Sequence, residues 1–257
     1  MRKFLCIALV FIVCIRLCIA NPLPPDLFTQ GLALEKDFKV EAALEKYEQF
    51  LKAYPHHAQA LTHASRMLSN IGGRLPLDKK EEKIAYYTKA KAYALRALPL
   101  NQQSIEAHLA YTISLGLMAE VAGSPRDKIH DAKIIRSEAE TIIHLDSTCA
   151  AAYFILGKWH FELARLSWVE QVACKLFFGG LPEGVSMDAA ISNLKKASAL
   201  QPNTILFLFG EASAYHYQHD DEKAIRLLKQ AMALSPKEPD DIPRKKRCAD
   251  LLEEIEG

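Results

Sequence analysis

The sequence lacks the motifs that mark the common enzyme classes. It contains no Gly-x-Ser-x-Gly elbow, no His-Glu-x-x-His pair and no glycine-rich loop followed by Lys-Ser or Lys-Thr. These absences exclude the usual serine hydrolases, zinc peptidases and nucleotide-binding enzymes. We therefore predict that the chain is not an enzyme, that it has no catalytic or metal-binding residues, and that it needs no cofactor.

An excess of charge of one sign is also missing. Lys and Arg together number 32 and Asp and Glu 31, which gives a formal net charge of +1 at pH 7. A protein that binds nucleic acid normally has a clearly basic face. The short basic run at residues 244–247 has acidic neighbours in sequence, which is typical of a solvated helix face. We predict no nucleic-acid partner.

Cysteines are too few and too scattered for a disulfide framework. Three of the six, Cys6, Cys14 and Cys18, fall within the first twenty residues. The others are an odd, widely spaced set of three. We predict that these three are small apolar core residues, and the alternative is one disulfide and one free thiol.

One apolar run lies at the N-terminus, over residues 4–15, behind Arg2 and Lys3. Cys18 and Ala20 are small residues at the positions that a signal peptidase reads. The run is shorter than the roughly 20 apolar residues of a spanning helix. We predict a signal peptide over residues 1–20, a mature domain over 21–257 and export to the periplasm, the medium or the lumen of the secretory pathway. The alternative is a membrane anchor formed by residues 4–20.

The last third of the chain repeats at a spacing of 34 residues. Residues 190–202 and 224–236 both read Ala-Ile-x-x-Leu-Lys-x-Ala-x-Ala-Leu-x-Pro. This period, with Ala, a large apolar residue, Ala and then Pro, is the signature of tetratricopeptide (TPR) repeats, which are stacked helix pairs. Such stacks bind partners along an extended concave surface.

Extending the pattern towards the N-terminus predicts the whole architecture. The fold class is all-α, a TPR solenoid of about five helix pairs with a helical insertion in the fourth pair and a C-terminal capping helix over 240–256. Residues 72–76 are expected to separate the two helices of the second pair. No Gly-, Ser- or Pro-rich linker interrupts residues 27–256, so one domain is the simplest interpretation.

The insertion carries the most individual residues. Leu156-Gly-Lys-Trp159, Leu166-Ser-Trp168, a Leu-Phe-Phe-Gly segment before Pro182, and Ala190 to Leu194 follow one another. In these pieces the chain resembles the regulator of microtubule dynamics family, from about residue 104 to 252. The resemblance implies an all-helical binding domain, and one branch of that family looks like a lipid-binding tether. An exported chain would not meet cytosolic tubulin, so we carry over the fold and not the microtubule role.

In TPR proteins, positions 2, 5, 9 and 12 of the first helix of each pair line the groove. The predicted partner-binding residues are Arg66, His108, Thr112, Phe154, Lys158, Phe161, Phe209, Ser213 and His216. This groove is polar in the middle and aromatic near the insertion. It suits an extended peptide with an apolar anchor, or an acyl chain with its acidic head near Arg66 or Lys158.

The inserted aromatic residues have two interpretations. Trp159, Trp168, Phe177 and Phe178 either pack the insertion onto the stack, which we favour, or form a lid over the groove. His216, His219, Asp220 and Asp221 could suggest a metal, but a turn of this kind more often holds capping and solvated residues.

We predict a non-catalytic scaffold that holds a protein or peptide partner in its groove. The alternative is a carrier or tether that binds a lipid or another apolar ligand beneath the aromatic insertion at 159–182. Membrane association through the N-terminal segment would accompany the anchor alternative.

Overall fold

The computed structural model describes residues 26–121 and 125–257, and these residues form helices and no strands. The helices in chain order are α1 (Asp26–Lys36), α2 (Val40–Ala53), α3 (Ala58–Arg74), α4 (Lys80–Ala97), a 3-10 turn (Leu98–Leu100), α5 (Ile105–Val121), α6 (Pro125–Leu145), α7 (Ala150–Ala164), α8 (Trp168–Phe178), α9 (Met187–Leu200), α10 (Ile205–Tyr217), α11 (Asp221–Ala233) and α12 (Asp241–Glu256).

The helices pack in sequence, as in a solenoid. α1 packs on α2, α3 on α4, α5 on α6, α7 on α9 and α10 on α11, and each of these pairs contacts the next. α12 closes the series against α10 and α11. The all-α solenoid, the helical insertion and the C-terminal helix that we predicted are therefore confirmed. The count of five repeats stays a prediction, as do the domain boundaries at residues 20 and 21, because residues 1–25 lie outside the described part.

The predicted break at residues 72–76 is only partly right, because α3 continues through Gly72 and Gly73. A β-carbon on Gly72 would lie 2.5 Å from Cε1 of Tyr87, so this glycine allows α4 to approach closely. The helix stops before Pro76, because a residue that precedes proline is driven out of the helical region. The ammonium of Lys83 then caps the end of α3, donating to the carbonyl oxygens of Gly72 (3.0 Å) and Leu75 (2.8 Å).

α8 is a short helix with well-formed ends. Ser167 caps its N-terminus, and Ser167 and Glu170 together form a capping box. Gly179 and Gly180, with φ of 81° and 95°, end it in the left-handed region. Among the described residues, α8 makes few contacts with other helices. The helix that pairs with α7 is therefore α9, which follows α8 in the chain.

Candidate partner-binding groove

The first helix of each pair, and α12, carries a small buried residue at the same position, the eighth of the repeat. These residues are Gly31, Ser65, Thr112, Gly157, Ala212 and Cys248. A β-carbon on Gly31 would lie 2.5 Å from Cε1 of Tyr47, so only a small residue lets α1 and α2 approach this closely. The eighth positions therefore fix which side of each helix is packed.

The residue that follows each eighth position is rotated by about 100° from the packed side of its helix. We call the side on which these residues lie the groove face, defined by its central residues Leu32, Arg66, Ile113, Lys158, Ser213 and Ala249. All of these are at least partly exposed, with Leu32 at 37% and Ile113 at 41%. The predicted residues Arg66, Lys158 and Ser213 lie on the groove face at central positions.

His108 and Thr112 do not lie on this face. Both are buried, and Nδ1 of His108 contacts the carboxylate of Glu138 on α6 while its Nε2 faces the carbonyl oxygen of Gln102 at 3.0 Å. The hydroxyl of Thr112 donates to the carbonyl oxygen of His108 at 2.7 Å. Our register for α5 was therefore off by one residue, and these two side chains belong to the packed side.

The corrected register gives α5 an apolar groove face. Leu109 and Ile113 take positions 5 and 9 of the repeat, and Leu117, one turn after Ile113, extends this apolar stripe; all three are at least partly exposed. α3 packs on α5 and α7 on α10, but α5 and α7 make no comparable contact in the described part of the chain. These three residues were missed in the sequence, although the apolar residues on both sides of α5 were a signal.

A polar cluster ties α1, α2 and α3 together beside Arg66. The carboxylate of Glu35 accepts a hydrogen bond from the hydroxyl of Tyr47 at 2.7 Å, and it lies 2.7 Å from Nδ1 of His63 and 3.1 Å from Nη2 of Arg66. Burial alone would raise the pKa of Glu35, but the hydrogen bonds from His63 and Tyr47 and the charge of Arg66 hold that pKa below its usual value. The cluster positions Arg66, whose side chain stays 44% exposed.

Aromatic residues fasten α7 to α10 at the other end of the groove face. The ring of Phe154 stacks on that of Phe207, with centroids 5.0 Å apart, and a β-carbon on Gly210 would lie 2.7 Å from Cε2 of Phe154. Phe161 is buried and meets Tyr217 edge-on at 5.9 Å. Phe154 and Phe161 therefore bury much of their apolar surface in the contact between α7 and α10.

The remaining predicted groove residues lie on α7 and α10 and have partners within the chain. The Arg247 guanidinium lies 5.5 Å from the ring centroid of Phe209. Ser213 donates from its hydroxyl to the carbonyl oxygen of Phe209 at 2.8 Å. Lys158 pairs with Glu162 at 2.9 Å, and its side chain is 40% exposed. The structure brings these residues to one face but leaves their binding role as a prediction.

His216 and its neighbours form a turn and a helix cap. Nδ1 of His216 lies 2.6 Å from Oδ1 of Asp221. The Asp220 side chain accepts from the backbone N–H of Lys223 and caps α11. His216, Asp220 and Asp221, three of the four residues that could have suggested a metal, thus make their contacts at the start of α11.

The two inserted tryptophans have opposite environments. Trp159 is 5% exposed, and its indole N–H donates to the carbonyl oxygen of Ala132 at 2.7 Å. Trp168, on α8, is 76% exposed. The side chains of Phe177 and Phe178 lie outside the described residues. Trp159 therefore lies in α7 and packs on α6, so it does not hold the inserted helix α8 on the stack. Trp168 faces solvent, and the packing of the insertion by these residues stays a prediction.

The chain matches a known family over nearly all of the described residues. The family is described as "Regulator of microtubule dynamics protein 1-3", and the match covers residues 27–256. Regulator of microtubule dynamics protein 1 of Bos taurus is 30% identical over 164 residues, which are 62% of this chain and 50% of that protein. Regulator of microtubule dynamics protein 3 of Rattus norvegicus is 27% identical over 125 residues, which are 49% of this chain and 26% of that protein. The chain therefore spans about half or less of the length of these relatives.

A solved structure supports the fold. The crystal structure of TTC0263, a thermophilic TPR protein of Thermus thermophilus, superposes on the chain with a TM-score of 0.63 at 16% sequence identity. The superposition covers 87% of this chain and 97% of that one. Because the identity is low, this likeness concerns the fold alone, which is a TPR solenoid.

The export that we predicted from the sequence is wrong. The alternative, a membrane anchor formed by residues 4–20, falls outside the described residues and is not tested by the structure. The relatives are named as regulators of microtubule dynamics, and microtubules assemble in the cytosol, where an exported protein does not meet them. The apolar run at residues 4–15 misled us, and it lies outside the described residues.

Within residues 26–121 and 125–257, no helix has the length and apolar character needed to cross a membrane.

The TPR solenoid and the family match converge on one assignment. The resemblance noted in the insertion extends to both sides of it, from the first described helix to the last. The chain belongs to the regulator of microtubule dynamics family.

Proposed function

We propose that the chain is a non-catalytic scaffold that holds a protein partner on its groove face, and that this partner is a component of the microtubule system. The TPR fold favours partner binding, because a stack of helix pairs presents one long surface. The microtubule part of the proposal comes from the names of the relatives.

The observation that carries the proposal is the apolar stripe on α5. Leu109, Ile113 and Leu117 line the groove face where α5 and α7 do not pack together, so a partner side chain can reach them. Burying such a stripe is favourable by roughly 25 cal/mol for each Å² of apolar surface. The central position of Ile113 between α3 and α7 is where a binding hot spot is expected.

Cationic groups flank this stripe on the neighbouring helices. Arg66 on α3 and Lys158 on α7 occupy the positions equivalent to Ile113, with side chains 44% and 40% exposed. Each cation already pairs with an acidic residue of the chain, Arg66 with Glu35 and Lys158 with Glu162. A carboxylate of the partner would either share the cation with that glutamate or displace the glutamate. The groove face therefore suits an extended segment with one large apolar residue between acidic ones.

The carrier alternative has weaker support. A lipid carrier needs apolar side chains that are free to line a cavity. Of the aromatic residues predicted to line such a cavity, Phe154 and Phe161 pack instead on Phe207 and Tyr217, and Trp168 is 76% exposed. We therefore keep a protein partner as the proposed function, and we propose no catalytic role.

The test is co-sedimentation of the full chain with microtubules polymerised from purified tubulin. Ile113→Glu places a charge in the apolar stripe, and we expect it to weaken binding about tenfold or more. Leu95→Glu is the matched control, because Leu95 lies on α4 and is 46% exposed, close to the 41% of Ile113. Failure of the full chain to pellet would refute the microtubule partner, and equal loss in both variants would refute the groove face.

A further inference from the structure

The end of α3 contacts the turn that precedes α12. Nε–H of Arg74 donates to Oδ1 of Asp240 at 2.7 Å, and Nη2 donates to Oδ2 at 3.3 Å. The guanidinium thus engages both oxygens of one carboxylate, which is the stronger and more directional form of this ion pair.

This pair joins residues that a solenoid normally keeps apart. Arg74 and Asp240 are 166 residues apart in the chain. In a repeat stack each helix pair contacts only its neighbours. α3 packs on α2, α4 and α5, whereas α12 packs on α10 and α11, and no extensive packing links α3 to α12 in the described residues. The ion pair therefore joins the second helix pair to the start of the C-terminal helix, across the repeats that lie between them.

Both partners are held firmly by their own end of the stack. On the α3 side, Lys83 fixes the helix terminus through the carbonyl oxygens of Gly72 and Leu75. On the α12 side, the buried carboxylate of Asp241 accepts from the backbone N–H of Lys237 at 2.9 Å and from Nη1 of Arg244 at 3.0 Å. The distance between these two fixed helix ends therefore decides whether Arg74 and Asp240 can reach each other.

We propose that Arg74 and Asp240 form an electrostatic latch that closes the solenoid on itself and sets the width of the groove face. The pair is well formed but not sealed from water, since the side chains are 31% and 23% exposed. Solvent and salt reach it, so it can break without unfolding either end. When the latch opens, the two ends separate and the groove face widens.

Small-angle X-ray scattering of the full chain tests the latch without any partner, so its result is independent of the proposed function. Arg74→Asp and Asp240→Arg each place like charges together, and both should increase the radius of gyration and the maximum dimension. The double variant Arg74→Asp/Asp240→Arg restores opposite charges and should return both values to those of the unmodified chain. High salt should expand the unmodified chain towards the single variants.

The matched control is Lys246→Asp, which breaks the Lys246–Asp250 pair inside α12 and should leave the dimensions unchanged. Circular dichroism melting establishes that each variant keeps its helices, and the milder Arg74→Ala replaces any charge reversal that does not fold. Single variants with the dimensions of the unmodified chain, at low and at high salt, would overturn the proposal. So would a double variant that stays as expanded as the single ones.

Discussion

Gly157 on α7 lies directly against Leu194 on α9, and only a residue without a side chain fits between the two helices. A β-carbon at Gly157 would lie 2.5 Å from Cγ and 3.0 Å from the backbone nitrogen of Leu194. Backbone as well as side-chain atoms are in the way, so the helices must shift to accept a methyl group. We predict that Gly157→Ala lowers the free energy of unfolding by about 1–3 kcal/mol, measured by urea denaturation.

Gly116→Ala is the control for that change. Gly116 lies within α5, and a β-carbon there would have no atom within 4 Å. Alanine is the better helix former, so this variant should gain about 0.5–1 kcal/mol. Equal effects of the two substitutions would contradict the close approach of α7 and α9.

Two tryptophans allow a second matched comparison. Trp159 is 5% exposed and donates its indole N–H to Ala132, so Trp159→Ala should cost about 3–5 kcal/mol of stability. Trp168 is 76% exposed, and Trp168→Ala should stay within about 0.5 kcal/mol of the unmodified chain. Thermal melting checks both, and a large loss for Trp168→Ala would mean that α8 packs in solution.

The polar cluster around Glu35 predicts a dependence on pH. Because the pKa of Glu35 is held below its usual value, its stabilising effect is complete above the usual carboxyl range and is lost as the pH falls through the lowered pKa. We expect Glu35→Gln to lower the melting temperature at pH 7, with a difference that shrinks in acid. Glu222→Gln, at a side chain that is 91% exposed, should show no such difference.

The carboxyl of Glu211 predicts the opposite sign. It is 6% exposed in α10, and burial raises its pKa above the usual value. A raised folded-state pKa means that the unmodified chain loses stability as the pH rises from the usual carboxyl range through the raised value. Glu211→Gln should therefore melt higher at pH 7 and lose this advantage below pH about 4. A lower melting temperature at pH 7 would show that the ionised form is stabilised in place.

Much of the fold could be predicted from local spacing. The small residues at Gly31, Gly157 and Ala212 set the packed side of their helices, and the Ala-x-x-x-Leu pattern set that of α9 and α11. In α5 the same reasoning failed by one residue, because the segment between α3 and α5 is longer than the repeat period allows. The groove residues His108 and Thr112 were misplaced for that reason.

Other features depend on relationships that spacing does not contain. The curvature that brings Arg74 to Asp240 is the sum of small rotations between repeats, and no local pattern encodes it. The exposure of Trp168 could not be foreseen, since aromatic residues usually bury most of their surface. The location of the protein was misjudged because an apolar N-terminal run was interpreted by its composition alone.

The most direct test of the groove face is site-specific photocrosslinking in the microtubule-bound state. A benzophenone side chain is placed at Ile113 in one protein and at Leu95 in another, two positions of similar exposure on α5 and α4. After irradiation, the account predicts a covalent adduct with tubulin from position 113 and none from position 95. Tubulin adducts from position 95 alone, or from neither position while the chain pellets with microtubules, would contradict the claim that the groove face holds the partner.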